Sequence, residues 1–160
     1  MGTLTTMNIG KIIGAGLKTG LVLAATTTAA ILLVSQKENH SPWAALNCVA
    51  HIVDGDEKEQ PTDFSPRETG LGLAVNATAM GLWGVLYEGA LSITKIRSTP
   101  LTAALATAVA YVTDYKLVPK RFTPGIEKRL SQPAILAVYA VLGATLAASS
   151  LWNKPVETEN

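Results

Sequence analysis

Charged side chains are missing from residues 19–36, 69–87, 101–113 and 133–151, and apolar or small residues fill each gap. No other feature restricts the possible folds as much. A helix needs about 20 apolar residues to cross a hydrocarbon core roughly 30 Å thick, and it satisfies its own amide groups while doing so. The four runs therefore predict an all-α polytopic membrane protein with four transmembrane helices, over about 12–36, 68–94, 100–118 and 133–152. They form one domain, 1–154, followed by a polar tail at 155–160. Charged residues make up 16% of the chain, against about 25% in soluble domains. Ala, Gly and Thr replace bulky side chains in the apolar runs, which suits close helix packing in lipid.

The connectors carry the polar chemistry. Ser41-Pro42 reads as a helix start, with a capping serine and proline at the first helical position. Residues 42–53 then predict a short amphipathic helix, with Leu46, Val49, Ala50 and Val53 on one side and Asn47, His51 and Asp54 on the other. Such a helix lies at the membrane surface, with Trp43 as its interfacial anchor. An acidic loop at 54–59 follows. Thr99-Pro100 opens the third span in the same way. Pro119 lacks an amide hydrogen and constrains the residue before it, so that span ends near Val118. Residues 111–133 hold two acids, five bases and three prolines. Thr123-Pro124-Gly125 reads as a turn, and 127–130 as a short interfacial helix.

Four spans place both termini on one side. Lys11, Lys18, Lys95, Arg97 and Lys154 share that side; Lys37, Lys58, Arg67, Lys116, Lys120, Arg121, Lys128 and Arg129 take the other. The bias of Lys and Arg puts the two long connectors in the cytoplasm. The flanks of the first helix argue the reverse, since Lys11 and Lys18 precede it and an acidic loop follows. A net charge of +1 gives no reason to expect nucleic acid as a partner. Cys48 is alone and forms no internal disulfide. With no A-x-A site after the first apolar run, that run is expected to stay as a helix.

No phosphate-binding or dinucleotide-binding loop, G-x-S-x-G, HExxH or CxxC occurs, so neither an enzyme nor a cofactor or metal site is expected. Ionisable groups near lipid are the remaining candidates, because they are costly there and often functional. Asp114 shares a helix face with Tyr111 and Tyr115 at i, i+3 and i+4. It emerges on the same side as His51, Asp54 and Arg121, and these six residues form a candidate polar cluster. In a functional reading, Asp114 and His51 bind a proton, a cation or a lipid head group. In the plainer and preferred reading, Asp114 pairs with a base and fixes the connector. A metal set from His51, Asp54 and Asp56 is a weaker idea, since such spacing is common by chance. Glu88 is a second intramembrane acid, emerging on the opposite side, and it either pairs with Lys95 or Lys18 or faces a water-filled cavity. Lys116, Lys120, Arg121, Lys128 and Arg129 are candidate lipid head-group contacts. Gly10-x-x-x-Gly14 and Gly16-x-x-x-Gly20 serve close packing within the chain or between copies, or reflect only the frequency of glycine in membrane helices.

Residues 111–115 (Tyr-Val-x-Asp-Tyr), Val118-Pro119-Lys120-Arg121, Thr123-Pro124-Gly125, Glu127 and Arg129-Leu130-Ser131 resemble the connector of a group of small, uncharacterised bacterial inner-membrane proteins with four spans. Ser41-Pro42-Trp43-Ala44, His51 with Gly55-Asp56, and Trp83 with Leu86-Tyr87-Glu88 extend the likeness over most of the chain. Asn76 departs from it, where a histidine is expected. The resemblance implies a multi-pass protein of the bacterial inner (cytoplasmic) membrane and supplies no reaction. The residues favour a non-enzymatic accessory or scaffolding subunit that packs against other membrane proteins or itself, in contact with membrane lipids. The rival is a proton, ion or small-solute conduit using Asp114, Glu88 and His51.

Overall fold

A computed structural model describes residues 9–55 and 58–153. The polar start 1–8, Asp56 and Glu57 of the acidic loop, Lys154 and the tail 155–160 lie outside the described residues. Any metal set that needs Asp56 is outside them too.

The described residues are helices and connecting turns. Helix α1 spans Ile9–Asn39, α2 Trp43–Cys48, α3 His51–Asp54, α4 Pro66–Thr94, α5 Pro100–Val112 and α6 Gln132–Ala147. Three of the helical stretches, Ile9–Asn39, Pro66–Thr94 and Gln132–Leu151, are long and apolar enough to cross a membrane. The chain is thus a helical membrane protein. The third expected span is built differently. Helix α5 has 13 residues, and its last turn widens into a π-helical turn at Thr113–Leu117. The Val118 amide reaches back five residues to the carbonyl of Thr113 at 3.0 Å. Val118 is then extended, as the following Pro119 requires. Short 3-10 turns follow at Lys120–Phe122 and Ile126–Lys128, the latter where a short helix is expected at 127–130.

The start signal expected at Thr99-Pro100 acts as read, whereas at Ser41-Pro42 the helix begins one residue later than expected, at Trp43, with Pro42 in the capping position. Thr99 caps α5 in a reciprocal box with Thr102, and Pro100 occupies the first turn. Ser131 accepts from the amide of Ala134 at the start of α6. Such caps satisfy amides that have no partner inside the helix.

Helix α1 is the hub. It packs on α4 along most of its length and on α6, while α5 rests on α6. The α1–α4 contact is a glycine seam. A methyl group placed on Gly20 would lie 2.6 Å from the Cα of Gly81, and one on Gly84 would lie 2.5 Å from the amide nitrogen of Gly20. Gly16 is equally close to Val85. The seam at Gly16 and Gly20 therefore joins two helices of one chain. Gly14 has open space where a methyl would stand. Polar bonds cross the same interfaces at mid-depth. Asn76 donates to Thr28 at 3.0 Å and Thr27 at 3.3 Å, and Thr26 meets Thr145 of α6 at 3.0 Å.

The segment expected as one helix on the membrane surface departs from that picture. It breaks at Val49–Ala50 into α2 and α3, and every residue from Ala44 to His51 is buried. Its apolar side packs on Ile31 of α1 and on Ile126, Leu130, Ala134 and Ile135. Its polar side is not hydrated either. Asn47, fully buried, donates to the carbonyls of Pro61 and Asp63 and accepts from Thr69 of α4 at 2.7 Å. Ser35 of α1 donates to the carbonyl of Ser41 and accepts from the amide of Ala45. Gly72 of α4 lies directly on the carbonyl of Leu46. The polar residues that suggested a wet face are thus internal fastenings of a wedge between α1 and α4.

Candidate functional site

The six residues of the expected cluster lie at the connector end of the bundle, but in separate arrangements. Asp54 ends α3 and belongs to an ion network. Arg67 clamps it with both guanidinium arms, at 2.6 and 2.8 Å. Lys58 bridges Asp54 at 3.2 Å and Glu68 at 2.7 Å. Ser65 closes the group with a short bond to Glu68. The Arg67 clamp, helped by Lys58, holds the Asp54 carboxyl far below the usual carboxylate range, against the opposing effect of desolvation. This network staples the connector to the first turn of α4.

His51 is fully buried, and its Nδ1 lies 2.8 Å from the carbonyl oxygen of Cys48. Its ring packs on Gly125, which has a left-handed backbone (φ +83°). Arg121 is exposed, with its guanidinium near Gly55.

Asp114 sits in the π-helical turn and accepts a 2.6 Å bond from the hydroxyl of Tyr139 on α6. Tyr111, Tyr115 and Tyr139 form an aromatic cluster with ring centroids 5.1 to 6.1 Å apart. Gln132 donates to the Tyr111 hydroxyl at 2.7 Å. Asp114, Tyr139, Asn76 and Thr27 line one cavity of about 100 Å³, floored by Phe122, Pro124 and Ile126 of the connector. Residues 122–126 therefore come between the two expected partners. Gly125 lies on His51, while its neighbours Pro124 and Ile126 line the cavity of Asp114. The partner that Asp114 uses, Tyr139, is a residue that sequence reasoning missed. Its signal was a single tyrosine inside an otherwise apolar run.

Glu88 lies at the other end of the bundle. Its Oε1 accepts from the Thr19 hydroxyl at 2.8 Å and the Asn153 amide at 3.0 Å. Asn153 also donates to Thr19 and to the carbonyl of Ala15, and the Trp152 indole reaches Thr19 at 3.3 Å. Three helices are tied together there by neutral donors, where Lys95 or Lys18 was expected.

Of the bases expected at head groups, Lys116, Lys120, Arg121 and Lys128 are exposed. Arg129 is half-buried and turned inward, 3.4 Å from the carbonyl of Gln60 and 3.7 Å from Glu59. Among the described residues, no three His, Cys, Asp or Glu side chains converge as a metal-binding set.

Asp114 and Glu88 thus both have partners inside the chain, and the bundle offers its open surfaces on either side of α5. On one side, α5 and α6 frame a groove of about 580 Å³ lined by Ala104, Ala108, Ala140, Gly143, Ala144 and Ala147. On the other, α4, α5 and α6 frame a groove of about 430 Å³. These features define a helical membrane protein in which Asp54, Glu68, Glu88 and Asp114 fasten the chain to itself. No family model, curated protein or solved structure matches the chain.

Proposed function

We propose that this chain is a non-catalytic accessory subunit of the bacterial inner membrane, crossing it four times. Its α5–α6 face is the surface that packs on a transmembrane helix of another membrane protein. The carrying observation is the Ala- and Gly-lined groove beside a helix whose one extensive neighbour is α6. Small residues let a partner backbone approach closely, and dispersion and weak polar contacts then hold the pair. The fourth crossing rests on the continuous helical stretch 100–117, about 27 Å long at 1.5 Å per residue. The bacterial membrane rests on the resemblance carried by residues 111–131.

Mild detergent extraction followed by purification of the full chain tests this reading. A partner in fixed ratio is expected with the unaltered chain and lost when Ala108→Leu and Ala144→Leu fill the groove. A partner retained by the filled variant, or a chain that purifies alone in both forms, refutes it.

One observation favours a second reading. Asp114 and Asn76 share a cavity, an arrangement suited to a proton or small polar solute. Flux in liposomes that Asp114→Asn abolishes supports a conduit, and undiminished flux clears Asp114 of the role.

A further inference from the structure

We infer that the groove between α4 and α5 holds one acyl chain of an anionic phospholipid, whose head group is met by Lys95 and Arg97. Helices α4 and α5 are consecutive in sequence, yet they stand apart. The gap is about 430 Å³ and is walled by Leu86, Leu91, Leu105, Val109 and the rings of Trp83 and Tyr87. Hydroxyls occur at one end, where Thr94 and Thr102 line it beside Ile96. The turn that closes this end carries Lys95 and Arg97, both exposed. Neither is in ion-pair contact with an acid among the described residues. The nearest acid along α4, Glu88, is engaged by Thr19 of α1 and Asn153.

The turn is fixed rather than loose. Ser98 donates to the carbonyl of Leu146 on α6 at 2.9 Å and meets the Tyr87 hydroxyl at 2.9 Å. The backbone that carries the two bases is therefore fixed at this end of the groove.

The depth of the groove selects the occupant. It runs from Thr94 to Trp83 along α4 and from Thr102 to Ala110 along α5, or about 12 to 16 Å at 1.5 Å per residue. That is close to half of a hydrocarbon core roughly 30 Å thick. A lipid of one leaflet fits this depth, with its phosphate at the mouth and its chain ending near Trp83. A partner helix would run on past the floor. The pair of bases selects an anionic head group over a zwitterionic one.

The test uses the full chain in neutral maltoside micelles, with lipid retention read by native mass spectrometry. Phosphatidylglycerol and phosphatidylcholine of matched chains are the probes. One equivalent of phosphatidylglycerol is expected, preferred by roughly ten- to thirtyfold, as two bases near an anionic surface imply. Lys95→Gln with Arg97→Gln should bring the preference towards parity. Ala90→Phe, at an exposed position lining the groove, should weaken retention of both lipids. Lys37→Gln, an exposed base at the other end of the bundle, should change nothing. Equal retention of the two lipids by the unaltered chain overturns the inference, as does a preference that survives Lys95→Gln with Arg97→Gln. So does a dimer mass that Ala90→Phe abolishes and phosphatidylglycerol leaves intact, because a second copy would then fill the groove.

Discussion

Gly84→Ala probes the seam on which the bundle is built. A methyl group there would stand 2.5 Å from the amide nitrogen of Gly20 and 2.8 Å from its Cα, and closer still to the carbonyl oxygen of Gly16. Ordinary contact begins nearer 3.4 Å, so α1 and α4 would have to separate by close to an ångström. All three neighbours are backbone atoms in the middle of helices, and no side-chain rotation relieves the clash. Overpacking of this kind costs about 1–3 kcal/mol. The better helix propensity of alanine returns up to about 1 kcal/mol. With the full return the net loss against glycine is at most about 2 kcal/mol, or up to roughly 8 °C in Tm for a chain of this size, while a control that shares the propensity gain isolates the overpacking cost. Gly81→Ala is the control, on the same helix and one turn away, because a methyl there meets nothing within 4 Å. Thermal unfolding in maltoside micelles, followed by circular dichroism, gives the comparison. Gly84→Ala should melt several degrees below Gly81→Ala. Equal melting of the two variants would refute the claim that backbone contact at this seam holds α1 to α4.

Three further outcomes are expected. Tyr139→Phe removes the donor to Asp114 and should cost about 1–3 kcal/mol, the penalty for a covered polar group left without its partner; chemical unfolding in micelles measures it, and Asp114→Asn in the same background should then cost little more. Gly125→Ala forces a left-handed backbone on alanine and drives its methyl to 2.5 Å from His51, so limited proteolysis should cut residues 119–131 faster in the variant while α1 and α4 stay intact. Asp54 has its pKa lowered from 3.8 by Arg67, so the stability its clamp supplies is complete above that value and fades as pH falls below it towards the depressed folded pKa; Asp54→Asn should lower Tm at pH 7 and flatten that acid-side decline, and an unchanged slope would show that other carboxylates cause it.

Element positions were legible because hydrophobicity and helix punctuation are local. Pro100 and Pro133 mark two starts, and the break at Val118-Pro119 fell where proline chemistry puts it. The side chains that fasten the helices were not legible, because each depends on which helices become neighbours. Asn47, His51 and Asp54 have the spacing of a wet face, and periodicity alone cannot tell water from a buried carbonyl of Pro61 or Asp63. Asp114 shares its stripe with Tyr111 and Tyr115, but its partner is 25 residues on, at Tyr139. Glu88 has bases nearby in sequence, yet Thr19 and Asn153 reach it first, since the glycine seam brings α1 against its face of α4. The glycines were visible, and their partner helix was set by tertiary packing.

The buried position of α2 imposes an order on biogenesis. A chain threaded vectorially into a bilayer releases α1, then residues 40–65, before α4 exists to receive them. The carbonyl of Leu46 has its seat on Gly72, and Asn47 its acceptor bond from Thr69, so neither group can reach its final partner until α4 is in place. Closure of α1 on α4 encloses the intervening peptide, and α6, which packs on α1, carries α5 with it.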